Sequence, residues 1–221
     1  EVLGILRDRA EEVGARLLVE GLDFGILERD VAVGGQMISL RGLAGDHPDL
    51  LLNLHGAHQA SNAALAVAAV EAFLGGGEQA LSDDVLRAAL TDVSSPGRLE
   101  IVRRSPIVLV DAAHNPHGAQ ALARTIETEF GFRTLIGVVS VLADKDAVGV
   151  LTALEPVLDT VVVTHNGSPR ALEVERLAAI AEEIFGEDRV VTSPTMVDAV
   201  ETAVALATEL RPDLVVMDVK M

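Results

Sequence analysis

The sequence contains no cysteine, no tryptophan and no tyrosine, and five phenylalanines are its only aromatic residues. Without cysteine the chain forms neither disulfides nor thiolate metal sites. This composition is compatible with the reducing cytoplasm, where we expect the protein. Because aromatic side chains are so few, Leu, Val, Ile and Ala must fill the interior. These residues occur in short runs bounded by Gly, Pro and Asp, which is a sequence pattern typical of α/β folds.

Positive charge is scarce as well: 17 basic and 34 acidic side chains give the 221 residues a formal net charge of −17. The acidic excess is spread over both halves, so no basic patch is available to neutralise nucleic-acid phosphates, and an anionic membrane surface would repel the chain. No apolar run approaches the roughly 20 residues that span a bilayer. We therefore expect small-molecule partners, no nucleic acid, no membrane and a monomer.

The chain starts with Glu1 and an amphipathic segment rather than with Met or a signal peptide, which predicts a fragment of a longer protein. In residues 1–94 the periodicity predicts a helix over 2–13, and another over 57–74 that is apolar on nearly every side and therefore buried all round. A third helix follows from Ser82 to about residue 90. Short strands are predicted at 16–20, 24–33, 36–40 and 50–54, and Gly34-Gly35 predicts a hairpin.

Residues 91–97, TDVSSPG, are the most linker-like stretch, and they place a domain boundary between residues 94 and 95. Beyond it, predicted strands alternate with helices of 9 to 15 residues up to a last strand at 214–219. Alternation of this kind predicts a doubly wound, mainly parallel sheet for residues 95–221.

Ligands of such sheets bind beyond the carboxyl ends of the strands, which directs attention to three loops. The first contains Asp111 and His114, followed by Asn115 and Pro116, which fit the cap and first position of a helix. A strand-end carboxylate can accept hydrogen bonds from ribose hydroxyls or an amino group, and an imidazole can bind a carboxylate. The alternative is that Asp111 only stabilises a turn and His114 only lies on the surface, with no role in binding.

The second loop contains Lys145, one of only two lysines in the sequence. Lys145 either neutralises a substrate anion or is simply solvated. In the same loop, Asp144 or Asp146 is a candidate cap of the next helix. The third loop, 165–170, is predicted to be a turn with an exposed Arg170. Arg98 in the linker either reaches an anion or lies on an ordinary surface. The polar residues at 55–62, including Asn62, lie at the start of the predicted buried helix. They either bind a ligand or simply cap the helix.

The chain lacks a phosphate-binding loop of the form G-x-x-x-x-G-K-[ST], because neither Lys145 nor Lys220 follows a glycine. Its six histidines show no HExxH or similar spacing with carboxylates, so we expect no metal site within the chain.

The sequence resembles the folylpolyglutamate/dihydrofolate synthases of the Mur ligase superfamily, in the form typical of actinobacterial members. The resemblance lies in five segments that occur in the same order: LHGAHQASNAALA, SPGRLE, VDAAHNPHG, SVLADKD and THNGSPRAL. The resemblance implies an ATP-dependent amide ligase: ATP phosphorylates a carboxylate of dihydropteroate or a folate, and the amino group of glutamate attacks the acyl phosphate. Residues 1–94 would be the last part of the ATPase domain, with its small antiparallel sheet, and residues 95–221 a Rossmann-like closing domain.

The motif match assigns roles to five residues. Asn62, Arg98 and Asp111 would contact ATP, His114 would lie where glutamate binds, and Lys145 is the further candidate for binding substrate. No residue of the chain is assigned a catalytic role. The phosphate loop and the magnesium ligands of the family would lie upstream of Glu1, so the chain alone should be inactive.

After the last strand the family usually continues with a Thr-Gly-Ser turn, whereas this chain ends LVVMDVKM. That tail resembles the phosphoacceptor strand of receiver domains, with Asp218 in the phosphorylated position, but residues 160–167 supply no acidic pair. We interpret the tail as a strand completing the sheet or as a junction with foreign sequence. The alternative functions are a different Mur-type ligase acting on cell-wall precursors and a non-enzymatic receiver-like module.

Overall fold

The computed structural model describes residues 2–210 and 214–218, with side chains through residue 207. The chain divides into two compact units, Glu1–Ser94 and Ser95–Met221.

The first unit combines a three-stranded antiparallel sheet with three helices. Its elements in chain order are α1 Val2–Val13, β1 Gly25–Ala32, β2 Gly35–Arg41, β3 Asp46–Leu52, α2 Ala57–Gly75 and α3 Asp83–Asp92. The predicted hairpin is confirmed, since Ala32 pairs with Gly35 across the turn. A Cβ at Gly35 would lie 2.1 Å from the Leu52 carbonyl oxygen, so the close approach of β3 requires glycine there.

The strand predicted at 16–20 is wrong, because Glu20 makes only an isolated bridge with Phe24. The Asp23 carboxylate accepts from the Val19 backbone N–H at 2.8 Å, and the Val19 carbonyl accepts from Leu22 and Asp23. These local hydrogen bonds compete with strand pairing and form a turn at residues 21–23, directly after the predicted strand.

Helix α2 exists as predicted, but the expectation that it is buried all round is wrong. One face packs on the sheet through small residues such as Ala60, Ala64 and Ala68, while Phe73 and Leu74 are 87% and 69% exposed. Apolar residues all round the helix fit burial on every side, yet within this chain the sheet covers only one side.

The second unit is a six-stranded sheet in the order β4-β5-β9-β6-β7-β8, in which only β4 is antiparallel to its neighbour. Its elements are β4 Glu100–Arg104, β5 Ile107–Asp111, α4 Pro116–Glu129, β6 Leu135–Val139, α5 Ala147–Leu154, β7 Thr160–Val163, α6 Val174–Phe185, β8 Val190–Thr192, α7 Met196–Leu210 and β9 Leu214–Asp218.

Helices cover both faces of this sheet, which confirms the doubly wound, mainly parallel α/β fold. Helices α4, α5 and α6 pack on one face around residues such as Leu135 and Val161, and α7 packs on the other against Ile136 and Val162. Successive residues of a strand face opposite sides, so β6 is apolar throughout and β7 is apolar after Thr160.

The structure describes residues 214–218 of the tail, which were interpreted as a strand completing the sheet or as a junction with foreign sequence. Residues 214–218 form β9, which lies between β5 and β6 and completes the sheet. Residues 211–213 and 219–221, and the side chain of Asp218, lie outside the part that the structure describes.

Candidate substrate site at the carboxyl edge of the second sheet

A cavity of about 630 Å³ opens at the carboxyl edge of the six-stranded sheet. Parallel strands end at the same edge, so the loops after β5, β6 and β7 meet there. Antiparallel pairing of Glu100 with Val110 brings the segment before β4 to the same edge. The lining residues are Pro96, Gly97, Arg98, Glu100, Val110, Ala112, His114, Leu142, Lys145 and Arg170.

A strained turn presents Arg98 to this cavity. Gly97 and Leu99 on either side of it have φ values of 68° and 48°, and the Arg98 N–H donates to the Ser95 carbonyl at 3.1 Å. The left-handed conformation costs a non-glycine residue such as Leu99 roughly 1–2 kcal/mol. Burial of the Leu99 side chain and a hydrogen bond from its N–H to Asp111 offset that cost.

Asp111 lies at the end of β5 and is 7% exposed. One carboxylate oxygen accepts from the Leu99 N–H at 2.9 Å and the other from the Ala113 N–H at 2.8 Å. The carboxylate therefore ties the Arg98 turn to the loop that carries His114. Sequence reasoning gave Asp111 a direct role at a nucleotide and missed this internal role, because a contact between residues 99 and 111 has no local signature.

His114 follows in the loop after β5, with Nδ1 at 3.0 Å from the Ala112 carbonyl oxygen. A carbonyl only accepts hydrogen bonds, so Nδ1 is the donor in this contact, which leaves Nε2 as the ring nitrogen that can accept. The next helix starts as predicted: Asn115 caps α4 by accepting from the Gly118 N–H at 2.8 Å, and Pro116 occupies the first turn.

Lys145 and Arg170 come from different loops and share one carboxylate. The Arg170 guanidinium donates to Asp144 Oδ1 at 2.8 Å, and Lys145 Nζ lies 3.3 Å from Asp144 Oδ2. The Arg170 guanidinium first, and then Lys145, hold the pKa of Asp144 below its ordinary value of 3.8. Asp146, rather than Asp144, caps α5 by accepting from the Gly149 N–H.

Backbone contacts hold these two loops together. The Ala143 N–H donates to the Arg170 carbonyl at 2.8 Å, Leu142 and Ala171 form an antiparallel bridge, and the Leu172 N–H donates to the Val141 carbonyl. Arg170 is exposed, as the sequence predicted, but it also lines the cavity. The signal that could have identified it is its position, because the loop follows β7 at the sheet edge where ligands bind.

Among the residues that the structure describes, three buried side-chain atoms without a hydrogen-bond partner belong to this edge. They are Ser140 Oγ directly after β6, Thr164 Oγ1 directly after β7, and Asn166 Nδ2 in the loop that leads to Arg170. A buried polar atom without a partner costs about 1–3 kcal/mol. All three atoms can donate a hydrogen bond, but none of the three residues lines the cavity.

Asn62 lies apart from the other predicted site residues in the chain, in the second turn of α2 of the first unit. Its side-chain amide donates to Gln59 Oε1 at 3.1 Å. The N-cap of α2 is Gly56, which has no side chain, so none of the polar side chains of residues 55–62 occupies the N-cap position.

Within residues 2–210 and 214–218, no group of three or more His, Asp or Glu side chains is arranged to hold a metal ion. In the same residues, no helix is long and apolar enough to cross a membrane.

Comparison with known proteins identifies the class to which this fold and site belong. Residues 97–217 match the family model described as Mur ligase, glutamate ligase domain. This match covers all six strands of the sheet apart from Asp218 at the end of β9, and every residue that lines the cavity except Pro96. The chain therefore belongs to the Mur ligase family and carries its glutamate ligase domain.

Within that family the chain is similar to dihydrofolate synthase/folylpolyglutamate synthases, which confirms the resemblance found in the sequence. It is 52% identical to that protein of Mycobacterium tuberculosis over 96% of this chain and 44% of the relative. The Bacillus subtilis protein is 30% identical over 85% of this chain and 44% of the relative.

A solved structure agrees with this similarity. The Mycobacterium tuberculosis folylpolyglutamate synthase complexed with ADP and AMPPCP has a TM-score of 0.95 and 49% identity, covering 98% of this chain and 49% of that one. The chain thus spans about half the length of the relatives it matches.

Proposed function

We propose that this chain is the carboxy-terminal part of a folylpolyglutamate/dihydrofolate synthase. In the proposed reaction, ATP phosphorylates a carboxylate of dihydropteroate or a folate, and the amino group of glutamate displaces phosphate to form an amide. The observation that carries the proposal is the cavity of about 630 Å³ lined by Arg98, His114 and Lys145, in a domain of the glutamate ligase family. Residues 95–221 would be the ligase domain and residues 1–94 the end of the ATPase domain.

The nucleotide would be held by Asn62, Arg98 and Asp111, of which Arg98 has the most direct physical basis. Its guanidinium is permanently charged and suited to phosphate oxygens, and the rigid turn around it lowers the entropy lost on binding. Asp111 fixes that turn through the Leu99 N–H. Asp111 would thus serve the nucleotide at least partly through Arg98.

Glutamate would bind near His114 and Lys145. The Nδ1–H of His114 is directed at the Ala112 carbonyl, which leaves Nε2 to accept from the amino group of the incoming amino acid. Lys145 supplies positive charge for a carboxylate. A site with one acceptor and one cation matches the two ends of an amino acid.

Magnesium, which the family implies, finds no three-residue carboxylate or imidazole group in the part of the chain described here. The metal would neutralise phosphate charge during phosphoryl transfer. We therefore assign its ligands, together with the phosphate-binding loop, to the half of the relatives that this chain does not cover.

The test joins the uncovered half of the Mycobacterium tuberculosis relative to this chain and measures ligation of labelled glutamate to dihydropteroate and to folates. We expect magnesium- and ATP-dependent ligation by the joined protein and none by the 221-residue chain alone. Ligation of an amino acid to a cell-wall precursor instead would assign the chain to another Mur-type ligase. A joined protein that folds and binds ATP but ligates nothing would refute the proposal.

A cytoplasmic, monomeric enzyme is part of the proposal. Sedimentation of the joined protein and fractionation of cells that express it measure these two properties directly.

A further inference from the structure

We propose that Asn166, in the loop after β7, is a site of spontaneous deamidation that the folded chain itself promotes. The His165 side chain is the base of this reaction, and the Ser168 backbone N–H stabilises the charge that develops on the amide oxygen. The modification does not involve ATP, glutamate or a folate, so the proposal stands apart from the ligase reaction.

The sequence singles out one asparagine for this chemistry. Deamidation begins when the backbone nitrogen of the following residue attacks the side-chain amide carbon, and glycine hinders that attack least because it has no Cβ. Asn166 is the only asparagine of the chain that precedes a glycine. The other three precede Leu54, Ala63 and Pro116, and a proline has no N–H to lose.

The attacking nitrogen is already hydrogen-bonded to a base. The Gly167 N–H donates to Nδ1 of His165 at 3.0 Å. This contact requires a lone pair on Nδ1, so the ring nitrogen is placed to take the proton as the backbone nitrogen bonds to carbon. An amide nitrogen is a poor nucleophile while it keeps its proton, and His165 therefore acts on the step that limits deamidation.

The carbonyl under attack also has a hydrogen-bond donor in place. Asn166 Oδ1 accepts from the Ser168 N–H at 3.1 Å, which folds the side chain back over the Gly167 peptide as in an Asx turn. The same N–H stabilises the negative charge on this oxygen in the tetrahedral intermediate. The leaving nitrogen, Nδ2, is buried and has no hydrogen-bond partner among the described residues, so its departure breaks no such bond.

The reaction balances with water as the only other reactant. The Gly167 nitrogen bonds to Asn166 Cγ and passes its proton to His165. The bond from Cγ to Nδ2 then breaks, and Nδ2 takes a proton from the imidazolium and leaves as ammonia. Water opens the resulting succinimide at either carbonyl to give aspartate or isoaspartate, and the exposure of Gly167 allows water to reach the ring.

Either product changes the loop that carries Arg170 to the cavity. Both products add a negative charge, and isoaspartate also adds a methylene to the backbone because the chain then runs through the side-chain carbon. The Ala143 N–H holds the far end of the loop at the Arg170 carbonyl. The extra length must therefore be absorbed between residues 166 and 170.

The test is incubation of the folded 221-residue chain at neutral pH, with each asparagine followed by peptide mass spectrometry, since deamidation raises the mass by about 1 Da. We expect Asn166 to react at least about tenfold faster than the other three asparagines. It should also react faster than in a synthetic peptide of residues 160–171. A slower reaction in the folded chain than in the peptide would overturn the proposal, because the fold would then protect Asn166.

Two variants of His165 separate base catalysis from hydrogen bonding. His165→Asn keeps an acceptor in place of Nδ1 but is no base, and His165→Ala removes both properties. We expect each to slow deamidation of Asn166 by about tenfold or more, because a positioned general base contributes roughly 10²–10⁴-fold and water replaces it only in part. The matched control His117→Ala removes an exposed imidazole from α4 and should leave the rate unchanged. An unchanged rate in His165→Asn would refute the base.

Discussion

At the residue scale, Asp111 shows how one side chain can serve a site that it does not line. Its carboxylate binds the backbone N–H groups of Leu99 and Ala113, on the turn beside Arg98 and the loop before His114. Loss of this carboxylate would leave the left-handed Leu99 without its internal partner. The turn would then lose its fixed conformation, and Arg98 its fixed position.

We therefore expect Arg98→Ala and Asp111→Ala to act on the same step. In the joined ligase, Arg98→Ala should raise the ATP requirement by about 1.5–3 kcal/mol, or roughly 10- to 150-fold, as for one charge-assisted hydrogen bond. Asp111→Ala should act in the same direction, and the double variant should lose less than the sum. ATP saturation curves measure this, with the exposed Arg104→Ala as control; additive losses would mean that the two residues act separately.

His114 is expected to act on the other substrate. Because its Nε2 is proposed to receive the amino group of glutamate, His114→Ala should chiefly raise the KM for glutamate and leave that for ATP nearer normal. Saturation curves for both substrates in the joined ligase, measured beside those of Asp111→Ala, decide this. Equal effects of the two variants on both substrates would mean that the loop after β5 is only a scaffold.

The contact of Asp144 with its two cations makes a pH prediction. The folded-state pKa of Asp144 is lower than its ordinary value of 3.8, so the ion pairs contribute stability above that pH and lose it as the pH falls through the folded-state pKa. The carboxyl-carbon NMR signal of Asp144 should titrate below 3.8 in the chain. In Arg170→Ala its midpoint should move upward, and an unchanged midpoint would mean that Arg170 is not its main partner in solution.

At the element scale, the site depends on two helix starts that are packed together. A Cβ on Gly149 would lie 2.5 Å from Pro116 Cγ at the start of α4 and 2.5 Å from Asp146 Oδ2, the cap of α5. The absence of a side chain at Gly149 therefore allows both loops that carry site residues to approach each other.

Gly149→Ala should destabilise the chain by about 1–3 kcal/mol, the usual cost of overpacking, despite the better helix propensity of alanine. Chemical denaturation measures the loss. Gly131→Ala is the matched control, because its added Cβ would meet no atom within 4 Å. Equal stability of the two variants would show that the two helix starts can separate without cost.

Local sequence signals predict the elements well and the long-range contacts poorly. The caps of α4 and α5, the β1–β2 hairpin and the alternation of strands and helices follow from short patterns around Asn115, Asp146 and Gly34. The pairing of Arg170 with Asp144 joins residues 26 positions apart and depends on which strands are neighbours. Hydrophobic periodicity does not contain that information, and for α2 it also failed to indicate which apolar face is covered.

At the scale of the whole molecule, exposed apolar side chains are concentrated in the first unit. Helix α2 alone exposes Leu65, Val70, Phe73 and Leu74. Side chains that are largely exposed contribute little to the stability of the chain that carries them, but they promote association.

Phe73→Gln with Leu74→Gln should therefore leave the denaturation midpoint nearly unchanged while it reduces self-association and binding of an apolar dye. Leu86→Ala on α3, where the side chain is 4% exposed, should by contrast cost about 2–5 kcal/mol. Denaturation and sedimentation measurements compare the two. A large stability loss from the double glutamine variant would mean that this face of α2 is covered in solution.

The position of β9 has a consequence for biosynthesis. β9 follows all the other described strands in chain order, yet it lies in the interior of the sheet, where it pairs with β5 on one side and β6 on the other. While the ribosome is still adding residues before 214, both strands have one edge without a partner, and such edges recruit other chains. Translation can thus complete α4 to α7 and β4 to β8 before this sheet is able to form as a whole. A nascent chain stalled at that stage would be a natural client for chaperones.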